Sequence, residues 1–173
     1  MSNWQVKFLQ QWNIYPPVIP AKTSLANYSF FMGTGNDNAD EVLKTNDNKK
    51  NICGIKIFMG ASTGNMLVDN PNTLDKIFRE SEVLIATHCE DERVVRRNLE
   101  KIKLQNRELT AADHPIIRDE EACYESSLLA IQIAKKYNTR LHILHISTEK
   151  ELDRKSTRLN SSHLRLSRMP SSA

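Results

Sequence analysis

Three side chains in this 173-residue chain stand where proteins of alternating strands and helices carry out chemistry. Lys56 lies inside the apolar run Cys53-Gly54-Ile55-Lys56-Ile57-Phe58-Met59-Gly60. His88 ends Val83-Leu84-Ile85-Ala86-Thr87-His88, and His145 falls near the end of Arg140-Leu141-His142-Ile143-Leu144-His145-Ile146. Active sites in such folds form at the C-terminal ends of the strands. Taken singly, each residue has an ordinary explanation. A strand lysine sits on an edge or extends its ammonium to solvent, and a strand-end histidine is more often a hydrogen-bonded structural group. Together they point to a metal site, because ligands must converge from separate strands and two imidazoles suit Zn²⁺. An ammonium is not a ligand, so Lys56 must first lose its charge. Reaction with CO₂ would make it a carbamate, an anionic oxygen ligand able to bridge two metals.

Other candidates carry less. Gly60-Ala61-Ser62-Thr63-Gly64-Asn65 is a glycine-rich loop after a strand, but it lacks the Lys-Ser/Thr ending of a phosphate-binding P-loop. Glu90-Asp91-Glu92 reads first as an acidic helix start favoured by the helix dipole, and second as support for a histidine ligand. His142, three residues before His145, is expected on the opposite side of its strand in a structural role. His114, before Pro115, reads as a loop or packing residue. Cys53, Cys89 and Cys123 are odd in number and lack metal spacing, so they form no disulfide framework, and a reducing cytoplasmic setting is the expectation.

The elements that must position these groups follow from pattern. Strands are expected at 27–33, 53–60, 83–88 and 140–146. Helices are expected at 38–44, 73–79, 91–103 and 120–137, with another starting at Ser147. Strands alternating with helices argue for parallel β/α units. Four strands do not close a barrel, and a (β/α)₈ barrel takes about 250 residues. The pattern therefore describes either a small open sheet or part of a larger barrel. No run approaches 18 consecutive apolar residues, so no membrane span is expected, and no secretory signal is visible at the N-terminus.

The two ends differ from the body. Residues 1–20 contain Pro16, Pro17 and Pro20 with no clear period, and are read as an uncertain stretch. Residues 154–173 hold five basic residues and no acid, and resemble translated sequencing-adapter sequence more than natural protein. The chain has 24 Lys+Arg and 21 Asp+Glu, so without that tail the balance is 19 basic to 21 acidic. The basic character belongs to the tail, and no nucleic-acid partner is expected.

Four segments, GIKIFMGASTGNMLVDN (54–70), LIATHCEDE (84–92), HPIIRDEEACYESS (114–127) and RLHILHIST (140–148), together closely resemble a dihydroorotase of the amidohydrolase superfamily. The resemblance covers residues 21–153, with the segments in the family's order. It implies an α/β fold, a partial (β/α)₈ barrel of about strands 3–6, with a zinc centre that holds two ions when complete. It assigns Lys56 as the carbamylated bridging lysine, and His88 and His145 as histidine ligands of the next two strands. The implied reaction interconverts N-carbamoyl-L-aspartate and dihydroorotate in pyrimidine biosynthesis. There the metals lower the pKa of the attacking water and polarise the amide carbonyl, and an aspartate moves the proton.

The departures are specific. The family's first-strand His-x-His does not occur, since the five histidines are at 88, 114, 142, 145 and 163. The family's catalytic aspartate has no counterpart, nor do substrate residues from the last strands. The chain is therefore expected to be an inactive piece of such an enzyme acting on a small-molecule substrate. The alternatives are a hydantoinase- or allantoinase-like relative, or a non-catalytic binding module. Met59–Asn65 favours dihydroorotase among the enzymes.

Overall fold

Fully and partly buried residues alternate through Ile55–Phe58 and Leu141–Leu144, and that alternation sets the architecture. The computed structural model describes residues 25, 29–50, 52–60, 62 and 65–152, and the backbone alone of Leu164–Arg168. Strands β1 (Phe31–Gly33), β2 (Gly54–Phe58), β3 (Ile85–His88), β4 (Leu141–Ile146) and β5 (Leu164–Arg168) form one sheet in that order, with every pairing parallel. Parallel neighbours in sequence order require a crossover on one face of the sheet at each step. Here α1 (Ala39–Leu43) joins β1 to β2, and α2 (Pro71–Glu80) joins β2 to β3. Helices α3 (Glu92–Lys103), α4 (His114–Ile117) and α5 (Glu120–Tyr137) lie between β3 and β4.

The two faces of the sheet differ. Ile55 and Ile57 on β2, Ile85 on β3, and Leu141 and Ile143 on β4 are essentially fully buried. They form one core with Leu74, Ile77 and Phe78 of α2 and Ala130 and Ala134 of α5. On the opposite face Lys56, Phe58, His88, His142 and Leu144 are only partly buried, while Ala86 among them is fully buried. The face that carries them is the one a closed barrel would turn inward.

Local signals set the helix ends. Asn70 caps α2 by accepting from the Asn72 amide, with Pro71 in the first turn, where its missing N–H costs nothing. Asp91 accepts from the amides of Arg93 and Val94 at the start of α3, and Asp119 from that of Ala122 at the start of α5. Asn138, with φ 55°, ends α5 in the left-handed conformation that asparagine tolerates.

The strands and longer helices fall within a few residues of the sequence expectations. Three features differ. The short α4 and the 3₁₀ turns at Lys44–Asn48 and Ala111–Asp113 are too brief to show a period. The expected helix at Ser147 is seen from residue 149 to 152, where the described stretch ends. The sequence reading placed no element within 154–173, whereas the backbone of Leu164–Arg168 pairs with β4. The apolar/polar alternation Leu164-Arg165-Leu166 is a strand signal that the basic composition of the segment obscures. The expectations for residues 1–20 lie outside the described residues.

Candidate metal centre

The strand register brings Lys56 and His88 onto one face. Lys56 pairs with Ala86, and Phe58 with His88, so Lys56 and His88 are diagonal neighbours two residues apart. Ala86 in turn pairs with His142. Paired residues of a parallel sheet share a face, so His142 lies on the Lys56 side. That corrects the parity argument, which put His142 opposite the site.

His145 reaches the same face by a different route. Its φ is 39°, in the left-handed region, and the β4–β5 register shifts between Ile143 and Ile146. A non-glycine residue held at positive φ is strained, and such strain concentrates at functional sites. The distortion breaks the two-residue alternation and brings the imidazole to the end of β3. His145 Nε2 lies 2.7 Å from His88 Nδ1, with ring centroids 4.6 Å apart. One ring donates its N–H to the lone pair of the other.

Burial and nearby groups lower the proton affinity of His88 and of Lys56. Burial, followed by the nearby His145, Lys56 and Arg118, pushes His88 down to about 4. Burial lowers Lys56 to about 8, against a smaller opposing effect of Cys89. The Lys56 ammonium lies 3.9 Å from the centroid of the Phe58 ring, a cation–π contact. The thiols are the reverse case: burial raises Cys89 to about 12 and Cys123 to about 11, so both stay protonated. All three cysteines are free.

The Glu90-Asp91-Glu92 run divides into separate roles. Asp91 caps α3, and Glu92 sits in its first turn. Glu90 is buried, pairs with the guanidinium of Arg118, and places Oε2 4.0 Å from His88 Nε2. Sequence reasoning missed Arg118, which no local pattern distinguishes. It weighed Glu90 only as one of three acids.

Arg118 is seated by its neighbours in the chain. Buried Asn98 on α3 donates to the Ile117 carbonyl at 3.3 Å and to the Asp119 carboxylate at 2.8 Å, on either side of Arg118. The loop before α4 is tied by Arg107, whose guanidinium grips both oxygens of Asp113 at 2.8 and 2.5 Å. The Asp113 carboxylate also accepts from the Thr110 amide and hydroxyl. The Arg107 guanidinium, helped by the Thr110 amide, holds the Asp113 carboxyl well below the usual carboxylate range. A depressed folded-state pKa stabilises above the unfolded value, near 3.9 for aspartate, and that contribution is lost as pH falls below it. Arg107→Gln is therefore expected to lower Tm at pH 7 and to flatten the acid decline of Tm below about pH 4. Melts of both proteins from pH 7 to pH 2 check this, and parallel curves would oppose it.

Among the described residues, no group of three or more His, Cys, Asp or Glu side chains is arranged to hold a metal. A centre here would need Lys56 in addition to the two histidines. The donors present fit that requirement. His88 is neutral, its Nδ1 meets a second imidazole, and its Nε2 is buried with no hydrogen-bond partner. The amine of Lys56 lies on the same face with a lowered pKa.

Solved structures place this fold in a class. The L-hydantoinase (dihydropyrimidinase) of Arthrobacter aurescens superimposes with a TM-score of 0.65 at 22% identity, covering 74% of this chain and 29% of that one. A dihydropyrimidinase from Brevibacillus agri gives 0.65 at 23% identity, covering 81% and 31%. A D-hydantoinase from Thermus sp. gives 0.68 at 17% identity, covering 82% and 31%. No protein-family model matches the sequence, and no curated protein matches it. The fold is thus a partial (β/α) barrel like that of the hydantoinases, and the chain spans about a third of their length or less. No helix among the described residues is long and apolar enough to cross a membrane.

Proposed function

We propose that this chain is the central part of a dihydroorotase-like, zinc-dependent cyclic amidohydrolase, with Lys56 as a carbamate and His88 and His145 as metal ligands. The observation that carries the reading is the meeting of His88 and His145 at 2.7 Å on the face that also bears Lys56. A barrel fold shared with hydantoinases supports it. A hydantoinase-like specificity is the second reading, favoured by those same neighbours, while the segment Met59–Asn65 favours dihydroorotate and N-carbamoyl-L-aspartate as the small-molecule pair. Three free cysteines fit a cytoplasmic setting.

Each residue has a task that its surroundings suit. His88, neutral at physiological pH, offers a lone pair without first releasing a proton. Lys56, lowered to about 8, keeps a larger uncharged fraction near neutrality than an exposed lysine does. That uncharged amine is the form that adds to CO₂: its lone pair makes a new N–C bond, one C=O π bond of CO₂ opens to the carbamate's C–O⁻, and one proton leaves the nitrogen to solvent. The chemistry zinc supplies when bound is Lewis acidity toward an amide carbonyl and acidification of water.

Metal binding is the direct test. Co²⁺ added to the metal-free chain with bicarbonate is expected to give d–d absorption that Zn²⁺ displaces. His88→Ala and His145→Ala are each expected to weaken binding by at least about 10-fold, since each removes one of few ligands. Equal Co²⁺ affinity in all three proteins would overturn the assignment.

A further inference from the structure

The proposed ligand His88 has two ring nitrogens with opposite surroundings. Nδ1 faces His145 Nε2 at 2.7 Å. Nε2 is buried, has no hydrogen-bond partner, and lies 4.0 Å from Glu90 Oε2. That separation is too long for a hydrogen bond but short for a carboxylate facing a ring nitrogen at a mostly buried site.

We infer that Glu90, clamped by Arg118, is a positioning residue that fixes the His88 proton on Nε2 and so leaves the Nδ1 lone pair for His145 or a metal. The inference rests on the metal-centre reading above. Its physical basis is the cost of the alternative tautomer. With the proton on Nδ1, the Nε2 lone pair would face a carboxylate in a poorly solvated pocket, where like partial charges repel strongly. With the proton on Nε2, the N–H dipole points at the carboxylate. Nδ1 then accepts from the His145 Nε2–H, and the four groups form a consistent series from Arg118 through Glu90 and His88 to His145. A ligating histidine that gives its second N–H to a carboxylate follows a general pattern, in which the partner sets the tautomer and ring orientation.

The clamp is itself built. Glu90 is 6% exposed, and its carboxylate meets the Arg118 guanidinium. Arg118 is held between Ile117 and Asp119, both hydrogen-bonded by Asn98. The backbone around Glu90 is also fixed: the Met59 amide donates to the His88 carbonyl at 2.9 Å, and the Asp91 amide to the Ala122 carbonyl at 2.9 Å. Helices α3 and α5 thus set a single acidic side chain against one edge of one imidazole.

The test reads the tautomer directly in the metal-free 173-residue chain, by long-range ¹H–¹⁵N correlation of the histidine rings. Wild type is expected to show His88 protonated on Nε2. Glu90→Gln, which keeps the shape and removes the charge, is expected to give a mixture of the two tautomers. It is also expected to bind Co²⁺ about 10–100-fold more weakly, the usual scale for loss of such a partner. Glu90→Asp should restore the Nε2–H tautomer. A wild-type His88 protonated on Nδ1 would overturn the inference without recourse to any variant. So would a Glu90→Gln protein whose tautomer and Co²⁺ affinity are unchanged. A wild type with the Nε2–H tautomer that binds no Co²⁺ would sustain the Glu90 role and remove the metal reading, so the two failures are distinct.

Discussion

Turnover of dihydroorotate by the 173-residue chain is expected to be undetectable, even with excess Zn²⁺ and bicarbonate. The proposed centre draws on Lys56, His88 and His145 alone. The sequence contains no His-x-His, and its other two histidines are at 114 and 163, besides His142 on β4. His114 starts the short α4 and is exposed, and it belongs to no strand. No aspartate is found among the described residues within the face that carries Lys56 and His88. The general acid/base that this reaction class needs is worth about 10²–10⁴ in rate by itself, and a metal held by too few ligands lowers the rate further. Among the described residues β1 and β5 each have one strand neighbour, so the sheet is open at both edges, and open edges invite association. The assay follows ring opening of dihydroorotate, and of hydantoin as the second substrate. Turnover that disappears in Lys56→Ala would show a competent site, assembled between copies of the chain, and would overturn this account.

How much of that site could be read from the sequence depends on how local each signal is. Ile85-Ala86-Thr87-His88 declares itself, because an apolar run ending in histidine puts the ring at a strand's C-terminal end, and the register confirms the position. Lys56 is legible for a similar reason: a charged residue flanked by Ile55 and Ile57 must face the less buried side. His145 is legible as a candidate but not in its mechanism. A two-residue alternation counted through β4 sends it to the wrong face, and only the left-handed φ of 39° returns it. No composition rule announces a strained histidine. Glu90 is visible as a charge, but its burial depends on Arg118, 28 residues further on, and that pairing exists only once α3 and α5 have packed. The same limit explains β5, whose strand character depends on an available edge of β4 as much as on its own sequence.

Gly60→Ala is expected to cost about 3 kcal/mol or more, the upper range for forcing atoms into a filled space. A Cβ at Gly60 would lie 2.0 Å from the Glu90 carbonyl oxygen, 2.8 Å from its carbonyl carbon and 2.9 Å from its Cβ. Two of these three are backbone atoms, and they cannot swing aside as a side chain does. The strand ends are also tied together here by the Met59 amide on the His88 carbonyl, and Asp91 is tied to α5 through Ala122. Relief would have to come from separating β2 and β3 at the end that carries His88. Gly33→Ala supplies the comparison. Its added Cβ would meet only Met66 Cε, at 2.9 Å. That atom ends a flexible side chain that can take another rotamer, so the change is expected to cost about 1 kcal/mol or less. With folding stabilities commonly about 5–15 kcal/mol, and a partial barrel at the low end, the Gly60 variant is expected to lose its cooperative melt or to melt far below wild type, while the Gly33 variant melts near it. Circular dichroism melts of the three proteins decide the point. A Gly60→Ala melt superimposable on wild type would mean that β2 and Glu90 do not approach as described, and the clamp on His88 would lose its structural basis.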